Sequence, residues 1–418
     1  MKKLLPILLA LTMLCALPMS ALMAEEPTTI TYAYFSAGES QEATFREMIA
    51  VFEAKNPDIK IDAKPTGYGE HFTQLATQIA ANNAPDCFEL NMENFLAFVV
   101  RGAVSEVGSL FEKTGLDPSV YSQGVLDACS MNGTLYAIPQ SYSTVVLAYN
   151  KDLFDRAGIE YPTIEWTWDD ELAAAEAITA LGIEDTYGMF QEIQYWEFYK
   201  TIQCVGGSLL NEDGTAFTLN SPENVMTLQY MVDRVREHHV MPSREDLAGR
   251  GNMDMFIEGK LGMLRCGIWG FNDFAKRIES FAWDIQVEPG MDKKATHFFA
   301  NVGCISRDSE KQDASFRFLN AMASDPDVVR LRLNAQWELP VVADEKMMAE
   351  YLKVTPPDNK IAVLQSMDYA VVPPALEEFS YAVEVVNPWL EGIDMGDMTA
   401  QEVLDACQEE LEGLDLIK

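Results

Sequence analysis

Apolar residues recur along the amino-terminal part of the chain with two spacings. Three short segments are rich in β-branched or aromatic residues and predict strands: Ile30–Phe35, Ile59–Ala63 and Asp86–Leu90. Between them, apolar residues recur three or four positions apart, as in Phe45–Phe52 and Phe72–Ile79, and this spacing predicts helices. Strands that alternate with helices predict a parallel sheet with right-handed crossovers and helices on both faces.

The carboxyl ends of these strands are where we expect a ligand. Ligands of doubly wound sheets bind in the crevice beyond the carboxyl ends of the strands. The loops that follow the three strands begin at Ser36, Thr66 and Asn91. Polar residues in these loops are therefore candidate binding residues.

The alternation of strands and helices continues through the rest of the chain. Asn132-Gly133 predicts the turn of a hairpin within residues 130–139, and Thr144–Tyr149 predicts a further strand. Ser221 followed by proline is typical of a helix start, here of a helix over 221–238. No internal repeat or low-complexity linker interrupts the pattern. The predicted fold class is α/β, with two lobes and no disordered tether between them.

Residues 1–24 are typical of an export signal. Two lysines precede the apolar run Leu4–Leu17, and small residues follow it. The short apolar core argues against an uncleaved membrane anchor. A lipid anchor would use Cys15, but the bulky Leu14 precedes it where lipoprotein signals carry a small residue, so this anchor is disfavoured. We expect an exported protein, in the periplasm or at the outer face of the cytoplasmic membrane.

The composition narrows the classes of function. The chain has 418 residues, enough for two or three domains, and a formal net charge of −35 from 30 Lys and Arg against 65 Asp and Glu. So acidic a surface repels phosphate backbones, and a nucleic-acid partner is not expected. The four histidines and seven cysteines show no metal-ligand spacing, so we expect neither a metal nor a cofactor. One or two disulfides remain open in an oxidising compartment.

The sequence gives little evidence for catalysis, whereas one aromatic residue indicates a possible binding site. The chain has no phosphate-binding loop, no HExxH and no GxSxG, and acidic pairs such as Asp169-Asp170 are typical of solvated helix starts. Trp269 directly follows an apolar strand and stands beside a glycine, where an indole can present its face to the C–H surface of a sugar. The competing interpretation, an ordinary core residue, applies to any single tryptophan.

Five segments resemble one known family and occur in its order: residues 83–88, 132–154, 256–269, 301–318 and 337–340. The second segment, NGTLYAIPQSYSTVVLAYNKDLF, is the most specific. The chain resembles the extracellular solute-binding proteins of ABC importers, in the branch similar to the maltose-binding protein. Together the segments span nearly the whole chain after the leader.

The resemblance implies a two-lobe, periplasmic-binding-protein-like fold of type II, with a doubly wound sheet in each lobe. Crossover strands near residues 140–143 and 301–303, and a third at the Leu-Pro turn, would join the lobes at a hinge. The implied bounds are 27–140 plus 304–335 for lobe one and 143–300 plus 340–418 for lobe two.

The resemblance also implies ligand-binding residues. Trp269 corresponds to a sugar-stacking tryptophan, and Trp196 lies near an aromatic platform of the second lobe. The other implied residues lie in strand-end loops and at the crossovers: Glu39, Ser40, Asn91, Glu93, Asn94, Gln140, Tyr142, Ser143, Asn301 and Trp337. Plainer roles compete with ligand binding at these positions. They are a helix cap for Ser40 and Asn91, a solvated carboxylate for the two glutamates, and core or hinge packing for Trp196 and Trp337.

The implied function is capture without catalysis. A monomer would bind a sugar or oligosaccharide between its lobes, close on it and deliver it to the transmembrane subunits of an ABC permease. The same fold could instead bind a polyamine, a peptide or a glycerophosphodiester, and Glu39, Glu89 and Glu93 could favour a cation. A remoter alternative is an exported glycoside hydrolase, which needs two carboxylates about 5–9 Å apart.

Overall fold

A computed structural model describes residues 26–374, 379–396, 398–414 and 416–417. The predicted export signal over residues 1–24 and the alternative lipid anchor at Cys15 lie outside these residues. Among the described helices, none combines the length and the apolar character needed to cross a membrane.

Twelve strands are found among the described residues. They are β1 (Thr28–Ser36), β2 (Ile59–Gly67), β3 (Cys87–Asn91), β4 (Ser130–Met131), β5 (Thr134–Leu135), β6 (Ala137–Asn150), β7 (Tyr187–Phe190), β8 (Leu261–Gly267), β9 (Trp283–Gln286), β10 (Thr296–Ile305), β11 (Leu339–Pro340) and β12 (Ala370–Val371).

The α-helices of the described residues alternate with these strands or follow them in the second half. They are α1 (Glu39–Lys55), α2 (Tyr68–Ala80), α3 (Met92–Val100), α4 (Gly108–Thr114), α5 (Gln123–Ala128), α6 (Lys151–Ala157), α7 (Trp168–Thr179), α8 (Tyr195–Ile202), α9 (Pro222–Arg236), α10 (Arg244–Leu247), α11 (Asn252–Ile257), α12 (Phe271–Arg277), α13 (Gln312–Ser324), α14 (Pro326–Ala335), α15 (Glu345–Tyr351), α16 (Ile361–Ser366), α17 (Phe379–Gly392) and α18 (Ala400–Glu412).

One sheet runs through the molecule in the order β2-β1-β3-β10-β6-β8-β7. β1 pairs in parallel with β2 and β3, and β7 pairs in parallel with β8. β10 and β6 are antiparallel to each other and to their outer neighbours β3 and β8. Two parallel groups of strands are thus joined through an antiparallel centre.

Alternate residues of β1 bury both faces of the sheet in the first half. Tyr32 and Tyr34 share a core with Phe45 of α1 and Phe318 of α13, whereas Ala33 belongs to a second core with Leu75 of α2. Successive strand residues point to opposite faces, so helices cover this part of the sheet on both sides. The predicted doubly wound arrangement is confirmed here.

The second half repeats this arrangement around β6. Val146 and Ala148 pack with helices α11 and α12, whereas Leu147 and Tyr149 pack with α6 and α7. A further core lies beside the sheet, where α8, α9, α17 and α18 bury apolar side chains against one another. The sequence-based predictions leave out α4, α5, α10, α16 and α17. In α17, Phe379, Ala382, Val386 and Leu390 have helical spacing and face this core.

The predicted hairpin forms as two short strands, β4 and β5. Asn132 and Gly133 both adopt positive φ, 52° and 80°, as a two-residue type I′ turn requires. The hairpin ends earlier than predicted, because residues 137–139 belong to β6. This strand has 14 residues, where the pattern alone predicted a separate strand over Thr144–Tyr149.

β6 and β10 each run from one half of the molecule into the other. The first part of β6 pairs with Val302–Cys304 of β10, and its last part, Val145–Asn150, pairs with β8 and β9. The ladder between β6 and β10 changes register between Asn301 and Val302. β11 joins the same place by pairing with Ser141 and Tyr142. These three strands are the connection between the two halves of the fold.

The cysteines serve as buried apolar residues. Within the described part of the chain, all six are buried and none forms a disulfide: Cys87, Cys129, Cys204, Cys266, Cys304 and Cys407. Burial raises the pKa of the Cys129 thiol to about 12, so it stays protonated at neutral pH.

Candidate functional site

A cavity of about 360 Å³ lies between the two halves, next to the connecting strands. The first half contributes residues at the carboxyl ends of β1 and β3, including Ser36 and Asn91. The second half contributes Gln194, Trp196 and Trp269. The cavity therefore occupies the position that the strand order predicts, beyond the carboxyl ends of parallel strands.

Trp269 is held against the cavity wall by the strand that precedes it. β8 ends at Gly267, and a single turn of 3-10 helix over Ile268–Gly270 follows. A Cβ added at Gly267 would lie 2.0 Å from the indole of Trp269, so only glycine leaves room for the ring at this place. Trp269 is half-buried, and its ring meets Phe299 edge-on at 5.2 Å between centroids.

Phe299 and Trp196 extend the aromatic wall. Phe299 lies on β10, with its ring centroid 5.5 Å from that of Trp196. Trp196 also meets the ring of His297 edge-on at 5.0 Å. All of these residues line the cavity together with Trp269, so four aromatic rings contribute to its second-half wall.

Asn91 supplies polar groups on the opposite side. Its Oδ1 accepts hydrogen bonds from the backbone N–H of Asn94 (3.2 Å) and from Asn94 Nδ2 (2.8 Å), so Asn91 caps α3. Its Nδ2 donates to the hydroxyl of Tyr68 at 2.9 Å. Asn91 and Tyr68 both line the cavity, and these bonds fix their orientation.

Asn301 and Glu338 form the polar floor of the cavity at the connecting strands. Asn301 Nδ2 donates to Glu338 Oε1 at 2.8 Å and to Ser141 Oγ at 3.3 Å. The other Glu338 oxygen accepts a bond from Arg332 Nη1 at 2.6 Å. Burial raises the pKa of Glu338, although Arg332, Ser141 and Asn301 act in the opposite direction.

A buried network of charges supports the second-half wall. It contains three cations and three carboxylates: Lys200, Arg234, Arg265, Glu171, Glu197 and Glu288. Arg265 donates twice to Glu171, at 3.0 and 2.6 Å, and Lys200 lies 2.9 Å from Glu197 and 2.6 Å from Glu288. Although burial acts to raise it, Arg265 and Arg234 hold the pKa of Glu171 below its usual value. Glu197 and Arg265 also line the cavity.

The remaining ionisable side chains on the wall are engaged as well. Glu192 accepts bonds from Asn252 Nδ2 and Gln194 Nε2, both at 2.9 Å. His297 Nε2 lies 3.3 Å from Glu93 Oε1, and burial lowers the pKa of His297 although Glu93 opposes this. Among the described residues, every carboxylate, arginine and histidine that lines the cavity thus has a protein partner.

Comparison with known proteins fits this geometry. Residues 37–328 match the family of bacterial extracellular solute-binding proteins. The chain belongs to this family. An ABC substrate-binding protein from Listeria monocytogenes, in complex with cycloalternan, is 40% identical over 94% of this chain and 100% of that chain, with a TM-score of 0.89.

Two further proteins are similar to this chain at lower sequence identity. The arabinooligosaccharide-binding protein of Bacillus subtilis (strain 168) is 26% identical over 252 residues, which are 58% of this chain and 57% of the relative. The maltose-bound MalE3 of T. maritima is 19% identical, covers 93% of this chain and all of that chain, and has a TM-score of 0.79. The likeness to MalE3 concerns the two-lobe fold alone.

The structure brings together part of the predicted set of binding residues. Five of the predicted residues line the cavity, and they come from both halves and from the connecting strands: Trp269, Trp196, Asn91, Ser143 and Asn301. The alternative interpretation of Asn91 as a helix cap is confirmed, since the same side chain caps α3 and lines the cavity.

Seven predicted residues do not line this cavity. Trp337 is buried in the first-half core, with its ring 6.0 Å from that of Phe45 and 5.2 Å from the Arg332 guanidinium. Gln140 is buried and donates to the carbonyl oxygen of Leu319 at 3.0 Å. The Tyr142 ring packs 5.8 Å from that of Phe298.

The other four of these seven lie near the rim or behind the wall. Glu39 is exposed in the first turn of α1, whereas Ser40 accepts bonds from Asn272 Nδ2 and Lys276 Nζ of the second half, both at 2.8 Å. Glu93 contacts His297 behind the wall. Asn94 is buried and bonded to Asn91 and to the hydroxyl of Ser380.

Sequence reasoning missed several lining residues that lie beside predicted ones. Gln41 lines the cavity where Glu39 and Ser40 were predicted, and Glu338 does so where Trp337 was predicted. Tyr68 begins α2, in the loop predicted to follow the second strand, so its position in the sequence could have identified it as a candidate binding residue. Nothing local marks Arg265 or Gln194 as lining residues.

Proposed function

We propose that this protein captures a neutral sugar or oligosaccharide in the cavity between its halves and delivers it to an ABC permease. The observation that carries the proposal is the combination of aromatic ring surfaces with ionisable groups that already have protein partners. A guest with a net charge would need an unpaired counter-charge on the wall, because desolvating a charge without one is costly.

The wall has the two kinds of surface that a sugar needs. Trp269, Phe299 and Trp196 offer flat apolar faces for the C–H surfaces of a pyranose ring. Asn91, Ser143 and Asn301 offer amide and hydroxyl groups for sugar hydroxyls. Relatives named for carbohydrate ligands, the cycloalternan-bound Listeria protein and the arabinooligosaccharide-binding protein, support the same choice.

We further propose that the halves act as hinged lobes. Lobe one comprises about residues 27–140 plus 304–335, and lobe two about 143–300 plus 340–418. β6, β10 and β11 connect them beside the cavity. A bound guest that contacts both lobes stabilises the closed arrangement by its differential affinity for that state. The closed monomer is then the form that the permease subunits recognise, at the outer face of the membrane after export.

No bond is broken in this proposal. A glycosidase needs one carboxylic acid free to protonate the leaving group and a second carboxylate free to act on the sugar or on water. Glu192, Glu197 and Glu338 instead accept hydrogen bonds from protein donors. No cofactor and no nucleic acid take part.

Isothermal titration tests the proposal. The probes are cycloalternan, maltooligosaccharides and arabinooligosaccharides. Spermidine is the cationic control, and glycerophosphocholine, a zwitterion without net charge, is the phosphodiester control. We expect heat with at least one saccharide, and an affinity that is insensitive to salt because the guest is neutral. Binding of spermidine or glycerophosphocholine alone, or a steep fall of affinity with salt, would contradict a neutral sugar ligand.

A further inference from the structure

The first turn of α3, in the first half, contacts the second half at two places. Glu93 Oε1 lies 3.3 Å from His297 Nε2, and Asn94 accepts a hydrogen bond from the hydroxyl of Ser380 on α17. His297 belongs to the second half, because it lies where β10 pairs with β12 and its ring packs against α8. The Glu93–His297 contact therefore joins the two halves directly behind the cavity wall.

His297 is itself part of the cavity wall. Its ring centroid lies 3.6 Å from that of Phe299, and Trp196 meets it edge-on at 5.0 Å. Both of these rings also line the cavity and belong to the proposed sugar-binding surface. A change at the Glu93–His297 contact thus acts on the aromatic wall without an intermediate residue.

The Glu93–His297 contact contains one hydrogen bond and two unused acceptors. A carboxylate oxygen can only accept, so His297 carries its proton on Nε2 and donates this hydrogen bond to Glu93. His297 Nδ1 and Glu93 Oε2 are buried, and neither forms a hydrogen bond with any residue that the structure describes. The side chains of His297 and Glu93 are only 1% and 4% exposed. A second imidazole proton, at Nδ1, would therefore have neither an acceptor nor water in this arrangement.

Charges on α3 and α8 act on His297 in opposite directions. Burial has the largest influence and lowers the pKa of His297. Glu93 and Glu197 favour the protonated imidazole, whereas Lys200 disfavours it. Tyr199 of α8 meets the imidazole edge-on at 5.3 Å, and burial raises the pKa of its hydroxyl, which stays neutral.

The other ionisable groups near this contact do not change charge near neutral pH. Tyr68 and Tyr195 face Glu93, and burial raises the pKa of both hydroxyls. Asp368, in the turn before β12, is exposed to solvent. His297 is thus the side chain at this contact whose ordinary pKa lies in the neutral range.

We propose that the Glu93–His297 contact is a proton-sensitive connection between the halves, which forms when the imidazole is neutral and breaks when the imidazole takes up a proton. In an open arrangement α3 moves away from His297, and water hydrates Nδ1. Closure removes this water, so the imidazole must first lose its second proton to the solvent. Acidification therefore opens the halves and releases the guest. This inference rests on the proposed function, because it concerns the regulation of the same site.

Isothermal titration across pH tests the inference. Cycloalternan, or the linear saccharide that gives heat at pH 7.5, is titrated into the full chain between pH 7.5 and pH 5.5. The saccharide has no titratable group, so a change in affinity comes from the protein. With an ordinary histidine pKa of about 6.5 in the open form, affinity should fall about tenfold over this range. A constant affinity, or one that rises as pH falls, would overturn the inference and leave the proposed function standing.

A substitution identifies the group that takes up the proton. Glu192 and Glu338 also line the cavity, and burial raises the pKa of each, so the pH profile needs this second measurement. His297→Gln keeps an N–H donor for Glu93 but cannot be ionised. Its affinity should change by less than about threefold between pH 7.5 and pH 5.5. The same fall as in the wild type would overturn the inference.

His238→Gln is the matched control. His238 is exposed, contacts Glu176 on the surface and does not line the cavity. This variant should keep the full fall in affinity at acid pH. Loss of the fall in the control as well would overturn the inference, because the effect would then not depend on the contact between the halves.

Proton release on binding is a further readout that needs no variant. Titrations in two buffers with different heats of ionisation measure it. The wild type should release about three quarters of a proton at pH 6 and almost none at pH 7.5. If His297→Gln fails to fold by thermal unfolding, this measurement decides, and the absence of release at pH 6 would overturn the inference. No heat with any saccharide at either pH would contradict the proposed function itself and remove the inference with it.

Discussion

Two buried clusters of charge lie against the cavity, and they differ in balance. The second-half network pairs three cations with three carboxylates, and the pKa of Glu171 is lowered there despite burial. At the connecting strands, Arg332 alone faces Glu338 and the nearby Glu89, and burial raises the pKa of both acids. The second-half network is therefore balanced in charge, whereas the cluster at the connecting strands carries excess acid, which disfavours ionisation.

Glu171 should respond to pH in the opposite direction from Glu89 and Glu338, although burial raises the pKa of Glu288 within the same second-half network. The lowered folded-state pKa of Glu171 means that its contribution to stability is present above the ordinary glutamate range and is lost as pH falls through the folded value. The raised folded-state pKa values of Glu89 and Glu338 mean that their contribution is present at low pH and is lost as pH rises through the folded values. The following variants separate these effects.

The largest effect is expected from Glu171→Gln. This change leaves Arg234 and Arg265 buried beside a neutral amide, and removing one member of a buried ion pair destabilises by about 3–5 kcal/mol. Denaturant unfolding at pH 7 measures the loss, which should shrink at acid pH. The control is Glu176→Gln on the exposed side of the same helix, expected within about 0.5 kcal/mol of the wild type. A loss no larger than that of the control would show that the network contributes little.

Trp269→Ala is next in size. It should weaken saccharide binding by about 1–3 kcal/mol while the unfolding midpoint changes little, because the half-buried ring acts at the cavity wall. Trp389→Ala is the matched control: this tryptophan is also half-buried, but it binds Glu410 on the surface and does not line the cavity. Isothermal titration of both variants measures the difference. Equal affinity in Trp269→Ala and wild type would remove the stacking role.

Ser40→Ala should have a smaller effect on binding. The Ser40 hydroxyl joins α1 to Asn272 and Lys276 of α12 across the two halves, so its removal weakens the closed arrangement. We expect affinity to fall by about 0.5–1.5 kcal/mol, mainly through faster release. Stopped-flow fluorescence measures the release rate. An unchanged rate would show that this contact does not hold the halves together.

The smallest effect is expected from Glu89→Gln. The amide removes a buried acid without changing its shape, so stability should rise slightly at pH 7 and stay unchanged at pH 4. Unfolding midpoints from pH 4 to pH 8 measure the change in slope. A fall in stability at pH 7 would mean that the ionised carboxylate is needed beside Arg332.

Local patterns predicted the fold well because its strands are buried on both faces. The sequences of β1 and β3 are recognisable as apolar segments. The spacing of the apolar residues between the predicted strands places α1 and α2 correctly. α17 was missed although its apolar residues have helical spacing, since Pro388 lies inside it and usually signals a break. The connecting strand β6 was predicted to be shorter than it is, because no pattern in the local sequence marks where the strand passes from one half to the other.

The binding residues could be predicted only in part, because neighbouring residues of one loop point in different directions. Trp337 and Glu338 are adjacent, yet the indole enters the core beside Phe45 and the carboxylate enters the cavity. Trp269 could be predicted because its position after a buried strand and beside a glycine restricts where the ring can lie. For Arg265 and Glu171, only the folded structure shows that distant parts of the sequence meet in one network.

Because Gly267 is in contact with the indole of Trp269, the residue at position 267 determines how far the ring extends into the cavity. Any side chain at residue 267 must push the indole aside, because even its first carbon would overlap the ring. Alanine at this position would reshape the site for a differently sized guest while the tryptophan itself is retained. Relatives that keep this tryptophan but carry a larger residue two positions before it should therefore have changed their ligand preference without losing the aromatic anchor.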